Sequence, residues 1–498
     1  MTTQRRKERL PLNRSLLLAG GAILATLSVP ASADTLREAF VAAYQTNPTL
    51  SGAQAGQRAL DETVPIAKAD GLPNAGSQFT YQENFLRNSN SFTAPLRQGV
   101  AAGDINVPIY SGGAVKNAVR AAKVRVSAGQ YDLRGTEASL FSNVVAVYMD
   151  VIRDEAIVRL NRANVGVLSV NLEATSDRFE IGDLTRTDVA QSESRLEVAK
   201  GQLETARANL ITSKENYIAL VGKAPGELEP PPPLPNLPDS PDKAVEFALQ
   251  YNPDLLAAKE RSDAAEFDIK AARAATKPRI TAFAQGNYVN FFDTLGGNVP
   301  GASFVQEQSS AEVGVRATVP IYQGGRPAAQ IRQAQARSGQ SYEQEIAVER
   351  NIIAQTRAAY SSWRASERVI QSSERAVAAS ALSLEGVRAE NSVGNRTILD
   401  ILNAEQELLN AQVNLVTARR NSYVAGFALL AAMGRAEARD LGLEGGPLYD
   451  PEVNYKRVKN IFYDFHSDPN PEPKATRTVD TPAQTADIPP LPGPVEPE

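Results

Sequence analysis

The heptapeptide Val107-Pro108-Ile109-Tyr110-Ser111-Gly112-Gly113 returns 212 residues later as Val319-Pro320-Ile321-Tyr322-Gln323-Gly324-Gly325. Each copy follows a run that alternates apolar and polar residues. Each precedes a long alanine-rich stretch of helical periodicity, so each marks a strand-to-helix junction. A repeat on this scale changes what counts as a unit: the 498 residues read as two similar halves rather than as a string of domains.

The first 33 residues stand apart. Arg5, Arg6, Lys7, Arg9 and Arg14 precede an apolar run over 16–29 and then Ala31-Ser32-Ala33, the order of a secretory signal cleaved after Ala33. As a membrane anchor the run is too short, and it carries Gly20, Gly21 and Thr26. Removing residues 1–33 takes away five basic and one acidic side chain and moves the formal net charge from −5 to −9. An acidic exported chain is a poor partner for nucleic acid. It has no cysteine, hence no disulfide, no thiolate metal site and no lipid-modified N-terminal Cys. Nothing after the signal approaches the ~20 apolar residues of a transmembrane helix, so any passage through a membrane is by β-structure.

Residues 34–69 read as helical with a break at Asn47-Pro48, and 243–275 as their counterpart with a break at Asn252-Pro253. These pairs are 205 residues apart, so the second half gains seven residues before its heptapeptide, placed in its hairpin loop. Each helical entry leads into a hairpin, over 72–109 and 279–321. The last strand alternates most cleanly: Ala311, Val313, Val315, Ala317, Val319 and Ile321 share one face, and Ser310, Glu312, Gly314, Arg316 and Thr318 the other. Such a strand separates an apolar medium from water. Four strands of this length suit a bilayer but cannot close a barrel, whereas three chains would supply twelve. The alternative is a small exposed sheet on a soluble protein.

Long helices are expected over 113–179 and 326–391, each on the order of 100 Å at ~1.5 Å per residue. Return helices follow over 184–221 and 397–433. Val189, Leu196, Leu203 and Leu210 recur every seven residues, as do Ile401, Leu408 and Leu415, with Ala404, Ala411, Ala418 and Ala425 three positions on. A narrow seam of large and small residues at this period points to coiled-coil packing. The resulting division is a signal (1–33), a first repeat (34–222), a proline-rich linker (223–241), a second repeat (242–434) and a C-terminal extension (435–498). The extension is expected to be disordered from about 467, being rich in Pro, Thr and Asp.

Signal, heptapeptides, four strands and long helices together resemble the TolC family of outer-membrane channel-tunnel proteins, over about residues 34–445. The segment 392–402, Ser-Val-Gly-Asn-Arg-Thr-Ile-Leu-Asp-Ile-Leu, is similar to the family's inter-helix turn, and 181–189 is a weaker copy at the same 212-residue offset. The resemblance implies a homotrimer: a mixed α and β fold with a twelve-stranded outer-membrane barrel, four strands per chain, continuing into a helical coiled-coil tunnel across the periplasm. It implies no cofactor, contact with outer-membrane lipid, a periplasmic adaptor, and an inner-membrane pump or ABC transporter. Carried over by motif position, Asp400 forms a ring at the periplasmic entrance, and Arg396 links neighbouring turns through Asp188. Asn403 stands where a second acidic ring is expected and Asn391 where a gate tyrosine could sit, which implies a looser closing network. Arg396 and Asp188 also read as ordinary cap and turn residues.

Three Asp400 carboxylates around a narrow axis would repel, raise their apparent pKa values and favour a bound cation. In the heptapeptides, Pro108 and Pro320 end a strand, and Gly112, Gly113, Gly324 and Gly325 permit the bend into the helix. Tyr110 and Tyr322 lie at the water boundary or pack in the junction.

Enzyme chemistry finds no support. The one histidine, His466, lies in the extension, and without cysteine the usual triads and His or Cys metal sites are missing. Asp400 and Glu405 form a carboxylate pair that reads as a solvated helix face. The glycine pairs lack the lysine and hydroxyl of a phosphate loop. Two functions are left: a passive exit duct for drugs or secreted polypeptides, and a non-conducting structural coiled-coil protein of the periplasm.

Overall fold

The computed structural model describes residues 34–86, 94–296, 303–442 and 448–488. The predicted signal lies outside the described residues, as do much of the first hairpin loop and part of the second. Proline sets the breaks in the entry helices. The chain begins with α1 (Leu36–Thr46), α2 (Pro48–Asp61) and α3 (Thr63–Ala69). Strands β1 (Asn74–Glu83) and β2 (Arg97–Tyr110) follow, then α4 (Ala114–Glu180) and α5 (Arg186–Val221). Beyond the linker come α6 (Pro241–Tyr251) and α7 (Pro253–Ala272), β3 (Arg279–Asn290) and β4 (Glu307–Thr318), and α8 (Arg326–Ser392) and α9 (Ile398–Ala432). A short helix, α10 (Pro451–Val458), lies in the extension.

The two Asn-Pro breaks use one device. Asn47 accepts from the amides of Thr49 (2.9 Å) and Leu50 (3.3 Å), capping α2, and donates to the Leu220 carbonyl at the end of α5 (3.0 Å). Asn252 caps α7 through Asp254 and Leu255 and donates to the Ala432 carbonyl at the end of α9 (2.9 Å). Each asparagine therefore ties an entry helix to the return helix of its own half. The following proline occupies the first helical position, where a missing N–H costs nothing.

α4 and α8 have 67 residues each, so each spans about 100 Å. In one half of their length they flank α7, and in the other they run beside α5 and α9. The main core sits halfway along, where α1 packs Phe40 against Phe141 of α4 and Phe427 of α9, with Tyr148, Leu210 and Tyr217 completing the cluster. The proline-rich linker crosses this belt. Its carbonyls accept from three tyrosine hydroxyls: Tyr148 to Glu229 (2.7 Å), Tyr423 to Pro232 (3.1 Å) and Tyr360 to Asp239 (2.8 Å). Proline cannot supply donors, so side-chain hydroxyls satisfy the linker instead.

The extension departs from expectation. Residues 467–488, read as disordered, run down the same belt: Ala486 and Ile488 pack on the core, and Lys214 donates to the carbonyls of Thr485 (3.3 Å) and Asp487 (3.4 Å). Their low apolar content hid them because backbone groups make the contacts. Burial is also uneven between the long helices. α4 buries residues along its whole length, whereas α8 buries Ser338, Ile352, Thr356 and Leu384. It therefore forms one flank of the chain, with Val369 and Leu382 exposed.

The sheet is an antiparallel meander in the order β1-β2-β3-β4. β3 has 12 residues against 10 in β1, so part of the second hairpin's extra length lies in strand rather than loop. β4 stops at Thr318, short of the expected Ile321, because Thr318 pairs with Arg279, the first residue of β3. β2 continues past its proline to Tyr110, since β3 still lies beside it, with a register shift between Pro108 and Tyr110.

At the junctions Gly112, Gly113, Gly324 and Gly325 all have positive φ, from 60° to 91°. Gly112 is under a second constraint: a Cβ there would lie 2.9 Å from both the Ala274 carbonyl oxygen and the Lys277 Cβ, whereas Gly324 faces open space. Gly324→Ala should cost about 1–2 kcal/mol from left-handed backbone strain alone, and Gly112→Ala more. Thermal unfolding of the two variants checks this: a lower midpoint for Gly112→Ala is expected, and equal midpoints would contradict it.

Candidate functional site

At the far end from the sheet, the two helix turns share one construction. α4 is followed by Gly182 and α8 by Gly394, both at φ +81°. In the first turn the Gly182 and Asp183 amides donate to Phe179 and Arg178; in the second, Gly394 and Asn395 donate to Asn391 and Glu390. Each return helix then opens with a capping box. Thr185 caps α5, with Asp188 Oδ2 accepting from its amide (2.9 Å) and hydroxyl (2.7 Å). Thr397 caps α9 in the same way, with Asp400 Oδ2 at 3.0 and 2.7 Å.

Within one chain, then, Asp188 and Asp400 are cap residues. Hydrogen bonds from Thr185 hold the Asp188 carboxyl below its ordinary pKa. Those from Thr397, assisted by the charge of Arg396, do the same for Asp400. Capping thus acts against the rise expected from mutual repulsion in a ring. In each case the cap contacts are made by Oδ2.

Arg396 donates through Nε to Glu390 (2.7 Å), a contact inside its own turn, not to Asp188. That salt link raises the Arg396 pKa. Asn391 donates to the Arg396 carbonyl (2.7 Å), a contact that closes its own turn. Asn403, one turn into α9, accepts from Arg195 of α5 (2.8 Å). The position expected to lack an acidic ring therefore joins the two return helices.

Sequence reading missed Glu405. Expected on a solvated face, it is only 5% exposed. Its carboxylate accepts from Asn171 of α4 (2.9 Å to each oxygen) and from Arg388 of α8 (2.9 Å). Three helices meet on one buried charge, one turn along α9 from Leu402, which packs with Leu168, Leu196 and Ala199. A signal was present: Glu405 lies four residues after Ile401, on the seam face.

At the other end, the sheet has two unlike faces. The register puts Phe79 and Tyr81 of β1, Ile105 and Val107 of β2, Ala282, Ala284 and Tyr288 of β3, and Val313 and Val315 of β4 on one face. Val313 is 85% exposed and Phe79 76%. Gln78, Thr80, Asp104, Asn106, Gln285, Asn287, Glu312 and Arg316 occupy the other. Tyr110 and Tyr322, at the helix end of the sheet, are both exposed. No described helix is long and apolar enough to cross a membrane, and the described residues hold no cluster of metal-ligating side chains.

The model of the family described as outer membrane efflux protein matches residues 40–223 and 244–435. The chain belongs to this family. It is a TolC-family protein of the Gram-negative outer membrane. It is 34% identical over 433 residues to the outer membrane efflux protein BepC of Brucella suis, covering 87% of this chain and 92% of that one. With the outer membrane protein TolC of Escherichia coli it shares 26% identity over 499 residues, covering 95% and 97% of the two chains. The crystal structure of the outer membrane protein VceC from Vibrio cholerae has the same fold, with a TM-score of 0.68 over 80% of this chain and 96% of that one, at 23% identity. Family members of this kind are channels rather than enzymes.

Glu405→Gln leaves the half-buried Asn171 amide one acceptor oxygen in place of two and takes the charged partner from Arg388. Glu405→Gln should loosen the tips by about 1–2 kcal/mol, read as roughly tenfold faster amide exchange at the start of α9. The exposed Glu407→Gln should leave exchange unchanged.

Proposed function

We propose that three copies of this chain form an exit duct: a closed twelve-stranded barrel in the outer membrane, continued by a helical tunnel across the periplasm. The observation that carries the reading is the two-faced sheet with both edges unpaired. Among the described residues β1 pairs only with β2 and β4 only with β3, so two rows of backbone groups stand open on a sheet whose apolar face is exposed. In hydrocarbon those groups have no water to bond, and closure onto further copies satisfies them. The polar face then lines the lumen. The uncovered flank of α8 supports the same assembly, because a neighbouring copy would bury it.

In this reading each half of the chain is one structural repeat, and the paired turns form the periplasmic entrance. Three Asp400 side chains would face the axis, each tied to its own cap through Oδ2. Arg396 spends Nε on Glu390 and keeps its remaining N–H donors, enough to take a carboxylate of a neighbouring turn. Asp188 Oδ1 is the acceptor it would reach. The closed entrance would thus be tied by Arg396 between Glu390 and Asp188, and opened when a periplasmic adaptor displaces that link. Nothing in the chain resembles a nucleotide site, so the energy would come from an inner-membrane pump or ABC transporter. Resemblance to an efflux protein at 34% identity favours small-molecule cargo over secreted polypeptides.

Single-channel recording in planar bilayers tests the duct. The purified protein should conduct, and Arg396→Ala or Asp188→Ala should raise conductance severalfold. Asp400→Ala should weaken block by multivalent cations added from the entrance side. A protein that inserts and never conducts would establish the structural coiled-coil reading instead.

A further inference from the structure

The extension climbs the outside of the entry helices in regular steps. Tyr449 donates to the Gln54 carbonyl (3.5 Å), Asn454 donates to Asp61 (2.8 Å), and Lys68 donates to the Lys459 carbonyl and to Asn460 (3.3 Å). Contacts at 54, 61 and 68 fall two helical turns apart, so α10 runs alongside α2 and α3 toward the sheet. The return is fixed as firmly: Arg457 grips Asp468 with two hydrogen bonds, at 2.8 and 2.7 Å. Between these anchors the chain makes a turn over 460–467.

That turn sits at the joint between helices and sheet. Lys68 is next to last in α3, and Gly71 lies against Val115 in the first turn of α4. Four residues out and four back limit the turn's reach beyond Lys68 to about 13 Å, on the side where β1 begins at Asn74. At this height it carries Phe462, Tyr463 and Phe465, exposed by 66%, 69% and 102%. Phe462 and Tyr463 stack on each other with ring centroids 4.4 Å apart, and neither ring is covered. A soluble surface rarely presents three adjacent bare aromatics. Ile66 of α3, at the same height, is 67% exposed. Below the rings, Lys68 is close enough to Lys123 and Lys459 for their charges to add to burial in lowering its pKa.

We propose that the 460–467 turn is a second contact with the membrane, in which Phe462, Tyr463 and Phe465 enter the periplasm-facing leaflet beside the barrel mouth while Lys68, Lys123 and Lys459 meet lipid phosphates. The occupant is a lipid surface because the aromatic turn continues the height of the sheet's apolar face, and aromatic rings favour the boundary between chains and headgroups. Cationic side chains beneath them match the phosphates. The turn supplies an anchor to a chain that has no cysteine to carry an acyl group. The inference rests on the outer-membrane placement of the sheet.

A cysteine-free chain allows single spin labels to be placed cleanly. Phe465→Cys, Val313→Cys on the sheet's apolar face and Asp480→Cys on the outer tail are each labelled in the full chain. Each is reconstituted in vesicles of phosphatidylethanolamine and phosphatidylglycerol, and accessibility to oxygen is compared with that to a water-soluble nickel chelate. The labels at 465 and 313 should both favour oxygen, the one at 313 lying deeper, while the label at 480 favours the chelate. A label at 465 that follows 480 while 313 stays in lipid overturns the turn's membrane contact and leaves the barrel standing. One shielded from both reagents overturns it as well, because a neighbouring copy would then cover the rings. An aqueous label at 313 removes the membrane placement of the sheet, and the proposal with it.

Discussion

Hydrocarbon offers no hydrogen bonds, and that single fact governs the rest of this chain. Four strands present an apolar face that water should not meet, yet β1 and β4 each leave one edge unpaired. In water such edges are an aggregation hazard; in lipid each open backbone group costs several kcal/mol. The strands cannot solve this alone, since four are too few to curl into a closed barrel. The proposed solution, shared among copies, bears on other features of the chain. The proposed closure would cover the flank that α8 leaves open while α4 is packed along its length, and would place the apolar band, exposed in one copy, against lipid.

Everything downstream of the sheet transmits its geometry. Paired glycines at φ of 60° to 91° stand immediately before each 67-residue helix, three residues after β2 ends in the first half and seven after β4 ends in the second, and turn the chain from sheet into helix. The mid-height belt then holds the helices in register. Asn47 and Asn252 tie entry helices to return helices, and tyrosine hydroxyls pin a linker whose prolines cannot donate. At the tips, capping boxes at Thr185 and Thr397 fix where the return helices begin. The same carboxylates that make those caps carry the charges assigned to the entrance, so stability and gating would draw on the same side chains.

Much of this was legible because it is local. Proline after asparagine, glycine after tyrosine, the seven-residue spacing of Leu196, Leu203 and Leu210, and the Thr-to-Asp spacing of the caps each act within a few residues. What the sequence hid depends on long-range contacts. Glu405 looks like any charged helix residue until Asn171 and Arg388 converge on it from two other helices. Residues 467–488 have the composition of a disordered tail, but Lys214 and the core of the belt hold their backbone in place. Arg396 was read by analogy as an inter-turn link, whereas its first partner is Glu390, six residues away, a contact that a motif does not encode.

The number of chains per complex tests the central claim most directly. Native mass spectrometry of the full protein, extracted from membranes in mild detergent, counts them without assuming a structure. Three chains, supplying twelve strands, are predicted. A stable monomer, a dimer or a tetramer would contradict the account, because the open edges of β1 and β4 would then have to be satisfied in some way other than a closed twelve-stranded barrel.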